Sequence, residues 1–519
     1  MDVSLAFIDY IVLLGYLLML LFVAFYLGQK KKNATDIFLG GRSLTWWQIG
    51  FSLFSANAGP MMLIGFASIG FTKGVVGSNF EWLAWIFLLL LAMVFVPHYL
   101  TTRVSTMPQF LMVRYGKRSY NFLTIYSLVS IMVVWLGSGL YAGGLLISQI
   151  FNWPLFKAMV LVAIIATSFT TLGGLKAVVR TGVFQSVIII LSSIVLTILA
   201  LNKIGGVSQL VNKAPASYWH LFQPAKDPEY SWVAIVLGYP VVAIYYWCTD
   251  QTIVQKVLAA KDIKEGQYGA VFISVLKIIM PFIFIFPGIM CFVLFKDIAK
   301  PDNAYITLVK QLMPPGLMGL CIAALIAALI DTISSGLNSF STVFTLDVVN
   351  QYKKLNEKQN RRVGRLVTVV AAVLALLIAT LYSYSGKGFF DLSQGLVSIL
   401  APPLSVVFLM GVLWKKANNK AAETVLYGGG FLCVVLGLCH ILNYPYKGYW
   451  PHFLLLSFYI FLALSVIMVL VSVFTRNTHE HPLLSIAETN RQFKYKSTRV
   501  WLLWAILAVV MAGIYIIFN

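Results

Sequence analysis

The chain has 519 residues, 60% of them hydrophobic and 11% charged, with a mean hydropathy of +0.85. That balance excludes an ordinary soluble domain and points to a bilayer. A net charge of +20 would suit nucleic acid, but about 27 of the 38 basic residues fall in alternate loops on one side of the apolar runs and about 10 on the other, the positive-inside pattern of a membrane protein.

Apolar runs long enough to cross roughly 30 Å of hydrocarbon recur along the whole chain. They predict an all-α membrane protein of about fourteen spans, beginning near Phe7, Trp46, Phe80, Tyr120, Phe156, Phe184, Trp232, Gln267, Leu317, Val363, Gly395, Ala421, Tyr449 and Val500. The first run lacks a basic segment before it and is followed by Lys30, Lys31 and Lys32, so it reads as a retained anchor with its N-terminus outside. Basic loops at 28–43, 98–119, 351–365 and 476–499 mark the cytoplasmic side. An even number of spans returns both termini to the outside of a cell inner membrane.

The second span carries Ser55-Ala56-Asn57-Ala58-Gly59-Pro60 at about mid-depth. Such an interruption frees backbone carbonyls that can coordinate a cation beside a cavity. Broken helices come in pairs in transporters built from inverted repeats, and Gly238-Tyr239-Pro240 in the seventh span is the expected partner. Ionisable groups inside a bilayer are costly enough to be functional candidates, which singles out Glu81, Lys277 and Asp331. Asp331, Ser334 and Ser335 share a helix face, an oxygen-rich pattern suited to a hard monovalent cation. The five cysteines have no metal spacing and read as small packing residues.

Several motifs then agree in order: Phe38-Leu39-Gly40-Gly41-Arg42-Ser43-Leu44 with Trp46-Trp47, the broken Ser55-Ala56-Asn57 helix, Thr171-Leu172-Gly173-Gly174-Leu175-Lys176-Ala177-Val178, Tyr245-Tyr246-Trp247-Cys248-Thr249-Asp250-Gln251 with Gln255, Leu337-Asn338-Ser339, and Pro402-Pro403. In these the chain resembles the sodium/solute symporter family, in its sodium/glucose cotransporter branch. The resemblance implies a leucine-transporter-like core of five plus five inverted helices, spans two to six and seven to eleven, working by alternating access. This gives residues 1–45 as an extra helix and loop, 46–415 as the core and 416–519 as peripheral helices of a single transporter domain.

Carried over position by position, the resemblance implies a substrate site of Asn57, Glu81, Tyr246, Trp247, Lys277 and Gln394. It implies a sodium site of the Ser55, Ala58 and Ala328 carbonyls with Asp331 and Thr332. The chain departs from the pattern at Met62, Ala84 and Ala243, which make the pocket less polar. It departs again where the family usually has Ser, here Asp331, and where it often has Asp, here Gly182. The expected function is uptake of a sugar coupled to sodium, with a proton as the alternative ion and a polyol, sialic acid or other organic acid as the alternative solute. The expected partners are that small solute and the lipid bilayer, with no obligate protein partner and no nucleic acid. No Gly-x-Ser-x-Gly or His-Glu-x-x-His arrangement suggests an enzyme, and His479-Glu480-His481 sits in a polar loop.

Overall fold

A computed structural model describes residues 5–29, 38–59, 61–227, 229–298, 300–384, 389–446, 448–475 and 498–519. Lys30 to Lys32, Pro60 and His479-Glu480-His481 lie outside the described residues. The described chain is helical as expected, with two isolated bridges, Leu44 to Ala260 and Gln223 to Ser231, in place of any sheet.

Among the described residues, twelve helices are long and apolar enough to cross a membrane. The two expected spans outside that number are α1 (Phe7–Gln29), a 23-residue apolar helix, and the second span, whose first half is α2 (Trp46–Asn57). α3 (Ala67–Lys73) continues the second span, and α4 (79–102) follows as four helical pieces. Then come α5 (Lys117–Phe151), α6 (Leu155–Leu175), α7 (Ala177–Ile204) and α8 (Trp232–Thr249). The short α9 (Gln251–Leu258) precedes α10 (Ile263–Leu294) and α11 (Leu317–Val343). The chain closes with α12 (Glu357–Ser383), α13 (Gln394–Leu413), α14 (Asn419–Ile441), α15 (Phe453–Phe474) and α16 (Thr498–Ile517).

α2 starts where Thr45 and Gln48 form a reciprocal capping box. It stops at Ala58, whose φ and ψ of −70° and 33° leave the helical region, two residues before a proline, which disfavours helical backbone at Gly59 and has no N–H to continue the helix. A π-helical turn at Met61–Phe66 restarts the chain into α3.

The seventh span is also broken, but not at Gly238-Tyr239-Pro240. α8 runs through Pro240, and the interruption falls at Asp250, whose ψ of 126° is extended. There the Asp250 carboxylate accepts hydrogen bonds from the Thr252 and Ile253 amides at 2.9 and 3.3 Å and so starts α9. Gly238 serves packing instead: a β-carbon on it would lie 2.3 Å from the Leu454 carbonyl oxygen of α15.

α11 is the centre of the molecule, with every residue from Cys321 to Val343 buried. Its Ala, Ser and Gly content lets neighbouring backbones approach closely, as small residues do in membrane helix packing. The closest crossing lies between α3 and α10. A β-carbon on Gly70 would sit 2.1 Å from the Ile285 carbonyl oxygen, and one on Gly288 would sit 2.2 Å from that of Ala67. α12 and α16, by contrast, turn Leu377, Leu381, Val509 and Ile516 outward, as a lipid-facing surface requires.

Candidate functional site

The break in α2 and the part of α8 just before its own break face one cavity, lined by Asn57, Glu81, Tyr246, Trp247, Thr332 and Gln394 among others. Lys277 reaches the same place from α10. Its ammonium lies 2.5 Å from Glu81 Oε2, and both residues are almost fully buried. It also donates to Asn57 Oδ1, and it stands 4.6 Å from the centre of the Trp247 ring. Asn57 in turn donates from Nδ2 to the Tyr246 hydroxyl at 2.9 Å.

All six substrate residues inferred from sequence therefore meet at this place. Glu81 is 2% exposed, so its carboxylate lies inside the protein. An ion pair buried this deeply persists only with good geometry and further hydrogen bonds, and Asn57 supplies one to the ammonium. Of the departures, Met62 and Ala243 line the cavity, whereas Ala84 is buried and does not.

Sequence reasoning missed the aromatic wall opposite. Trp135 of α5 stacks on Tyr246 with ring centres 5.7 Å apart and planes 17° apart, and its indole N–H donates to Asp250 at 3.2 Å. Tyr239 and Phe80 close another side, and the Tyr239 hydroxyl donates to the Phe80 carbonyl at 2.6 Å. The available signal was Trp135-Leu136-Gly137-Ser138-Gly139, an aromatic with a polar edge beside small residues in mid-span.

Behind the cavity, the break in α2 meets α11. The Thr332 hydroxyl lies 3.0 Å from the carbonyl oxygens of both Ala56 and Ala328, and Ser55 donates through its side chain to Asp331 Oδ2. Ser55, Ala328, Asp331 and Thr332 are thus together, with Ala58 buried at the break. The carbonyl of Ala56, which the sequence reading did not include, is there as well. Asp331 is fully buried, and its Oδ1 has no hydrogen-bond partner among the described residues. A β-carbon on Gly182 of α7 would stand 2.5 Å from Ser55 Oγ and 3.5 Å from Asp331 Oδ1. The space that an acid at 182 would enter is thus the space that the Asp331 carboxylate borders.

A second buried cation was also missed. Lys256 of α9 is 1% exposed and donates to the Ser52 carbonyl of α2 at 2.7 Å. Among ionisable groups inside the bilayer the sequence reading singled out only Glu81, Lys277 and Asp331.

The profile of the sodium:solute symporter family matches residues 37–429. Among curated relatives, the chain is 34% identical over 478 residues to sodium/glucose cotransporter 4 of Mus musculus, covering 85% of this chain and 69% of the relative. It is 33% identical to the sodium/glucose cotransporter of Vibrio parahaemolyticus, covering 81% of this chain and 83% of that one. Among solved structures, a Na+-coupled sialic acid symporter in a substrate-bound outward-open state superposes with a TM-score of 0.79 at 22% identity, over 91% of this chain and 99% of that chain.

Proposed function

The chain belongs to the sodium:solute symporter family, and we propose from its two sites that it couples inward sodium movement to uptake of a sugar or sugar-like solute by alternating access. One observation carries the choice of solute: the Lys277–Glu81 pair with Asn57 at the edge of the cavity. The pair contributes no net charge, yet it offers both donors and acceptors, and sugar hydroxyls both donate and accept. Tyr246 and Trp247 add aromatic faces. A carboxylate solute would gain from Lys277 but meet Glu81 as well, so sialic acid and other organic acids rank behind neutral sugars, whereas a polyol, being neutral, is an alternative that this argument does not set aside.

Sodium at Ser55, Ala58, Ala328, Asp331 and Thr332 would hold the break in α2 against α11 and favour the state that presents Asn57 to the solute. A ligand shifts such an equilibrium only by binding one state better than the other. One charge moving inward gains about 2.3 kcal/mol per 100 mV, enough for a roughly 50-fold solute gradient. The chain would sit in the cell inner membrane with both termini outside, its core at 46–415 and its flanks at 1–45 and 416–519. Labelled sugars offered to proteoliposomes with and without an inward sodium gradient test the function. The expected result is sodium-dependent accumulation of one sugar, reduced by Glu81→Ala and by Gln394→Ala; unchanged uptake in both variants would remove these residues from the site.

A further inference from the structure

The family profile begins at residue 37, so it leaves out α1. Yet α1 lies against the helix that carries the cation site. Asp9 is 1% exposed, and its Oδ1 accepts hydrogen bonds from the Gly316 and Gly319 amides, both at 2.7 Å, at the start of α11. A β-carbon on Gly319 would lie 2.6 Å from Asp9 Cα, so the two backbones touch. These contacts fix the register of α1 on α11. Two and three turns further along α1, Tyr16 and Leu20 pack with Ala323 and Ala327, one and two turns past Gly319 on α11.

Tyr16 is out of place in that apolar seam. It is 93% buried, and its hydroxyl has no hydrogen-bond partner among the described residues. A buried polar group left unsatisfied costs about 1–3 kcal/mol, and one that persists in a folded protein calls for an explanation such as an ion or an ordered water. The ring itself is held, stacked on Phe184 with centres 6.1 Å apart and planes 17° apart. Phe184 lies two residues after Gly182, which borders Asp331 Oδ1. Ala327, which belongs to the same buried cluster as Tyr16, lies one helical turn before Asp331 on α11. Two buried polar atoms without partners among the described residues, Tyr16 OH and Asp331 Oδ1, therefore lie on helices that meet the same stretch of α7, the first through Phe184 and the second at Gly182.

We propose that Tyr16 is a positioning residue of the cation site, donating through bound water to Asp331 Oδ1 and holding that carboxylate toward Ser55 and the break in α2. The N-terminal helix is then part of the ion-coupling machinery. This rests on the sodium reading above and adds to it a residue outside the family core. The other side chains facing Asp331 are Ser55 from α2 and, at longer range, Lys256 from α9, so Tyr16 is the contribution of α1.

Tyr16→Phe keeps the ring and its stack and removes only the hydroxyl. The full-length protein, wild type and variant, is titrated with sodium chloride at constant ionic strength set by choline chloride. Sodium-induced thermal stabilisation and the sodium dependence of solute uptake are both read. The expected result is a three- to tenfold higher sodium midpoint in Tyr16→Phe, with an unchanged melting temperature in choline alone. In an Asp331→Ser background, or in Asp331→Asn if that folds better, Tyr16→Phe adds no further shift. A wild-type midpoint in Tyr16→Phe, or the same shift with Asp331 already replaced, overturns the proposal while leaving sodium coupling intact. A wild type that shows no sodium response overturns the sodium reading and this proposal together.

Discussion

The cavity and the cation site lie on either side of the same broken helix, but they handle charge in opposite ways. In the cavity, Glu81 and Lys277 close on each other, and Asn57 is tied to both Lys277 and Tyr246. In the cation site, Asp331 has one oxygen engaged by Ser55 and the other without a partner, with no cation within ion-pair distance among the described residues. A site whose charges already cancel suits a neutral ligand that exchanges hydrogen bonds. A site with an uncompensated carboxylate in low dielectric suits a cation. The charge count, more than the shape, separates the two roles.

The largest effect should come from breaking the closed pair. Lys277→Ala leaves Glu81 buried without its partner, which costs about 3–5 kcal/mol. The expected outcome is a large fall in thermal stability and abolished uptake, whereas Lys277→Met with Glu81→Gln recovers much of the stability but not transport. Next is the open carboxylate. Losing a charged ligand removes about 1.5–3 kcal/mol, so Asp331→Ser should raise the sodium half-saturation for uptake about ten- to a hundredfold while equilibrium solute binding at saturating sodium changes little. An unchanged sodium curve would erase the contrast between the sites. The same contrast is sharpened by moving the acid: Gly182→Asp added to Asp331→Ser should recover at least part of the lost sodium affinity, because the two positions border one space. The smallest effect is Tyr246→Phe, which removes a neutral hydrogen bond to Asn57 worth about 0.5–1.5 kcal/mol. A two- to tenfold rise in solute KM with the sodium dependence unchanged is the expected result.

How much of this was legible in the sequence follows from which signals are local. Long apolar runs and the Gly59-Pro60 pair act on their own backbone, so the helices and the first break could be read directly. The second break could not be placed, because it depends on Asp250 capping α9 across an extended residue, while the conspicuous Pro240 is absorbed within α8. The substrate residues were reached through family motifs; nothing in the spacing of Asn57, Glu81, Lys277 and Gln394 says that they meet. Trp135, Lys256 and Tyr16 were missed for the same reason. Each owes its significance to a partner on another helix: Trp135 to Tyr246 and Asp250, Lys256 to the Ser52 carbonyl, and Tyr16 to the surroundings of Asp331.

The glycine crossing between α3 and α10 has a mechanical consequence. With Gly70 against Ile285 and Gly288 against Ala67, no side chain separates the two helices, and sliding one past the other would drive α-carbons into carbonyl oxygens. The pair therefore behaves as a single lever. Lys277, eight residues before Ile285 on α10, must swing with the second half of the broken span whenever the carrier changes the side to which it opens. An engineered disulfide joining these two helices should then be tolerated throughout the cycle, whereas one fixing α3 to α11 should arrest it.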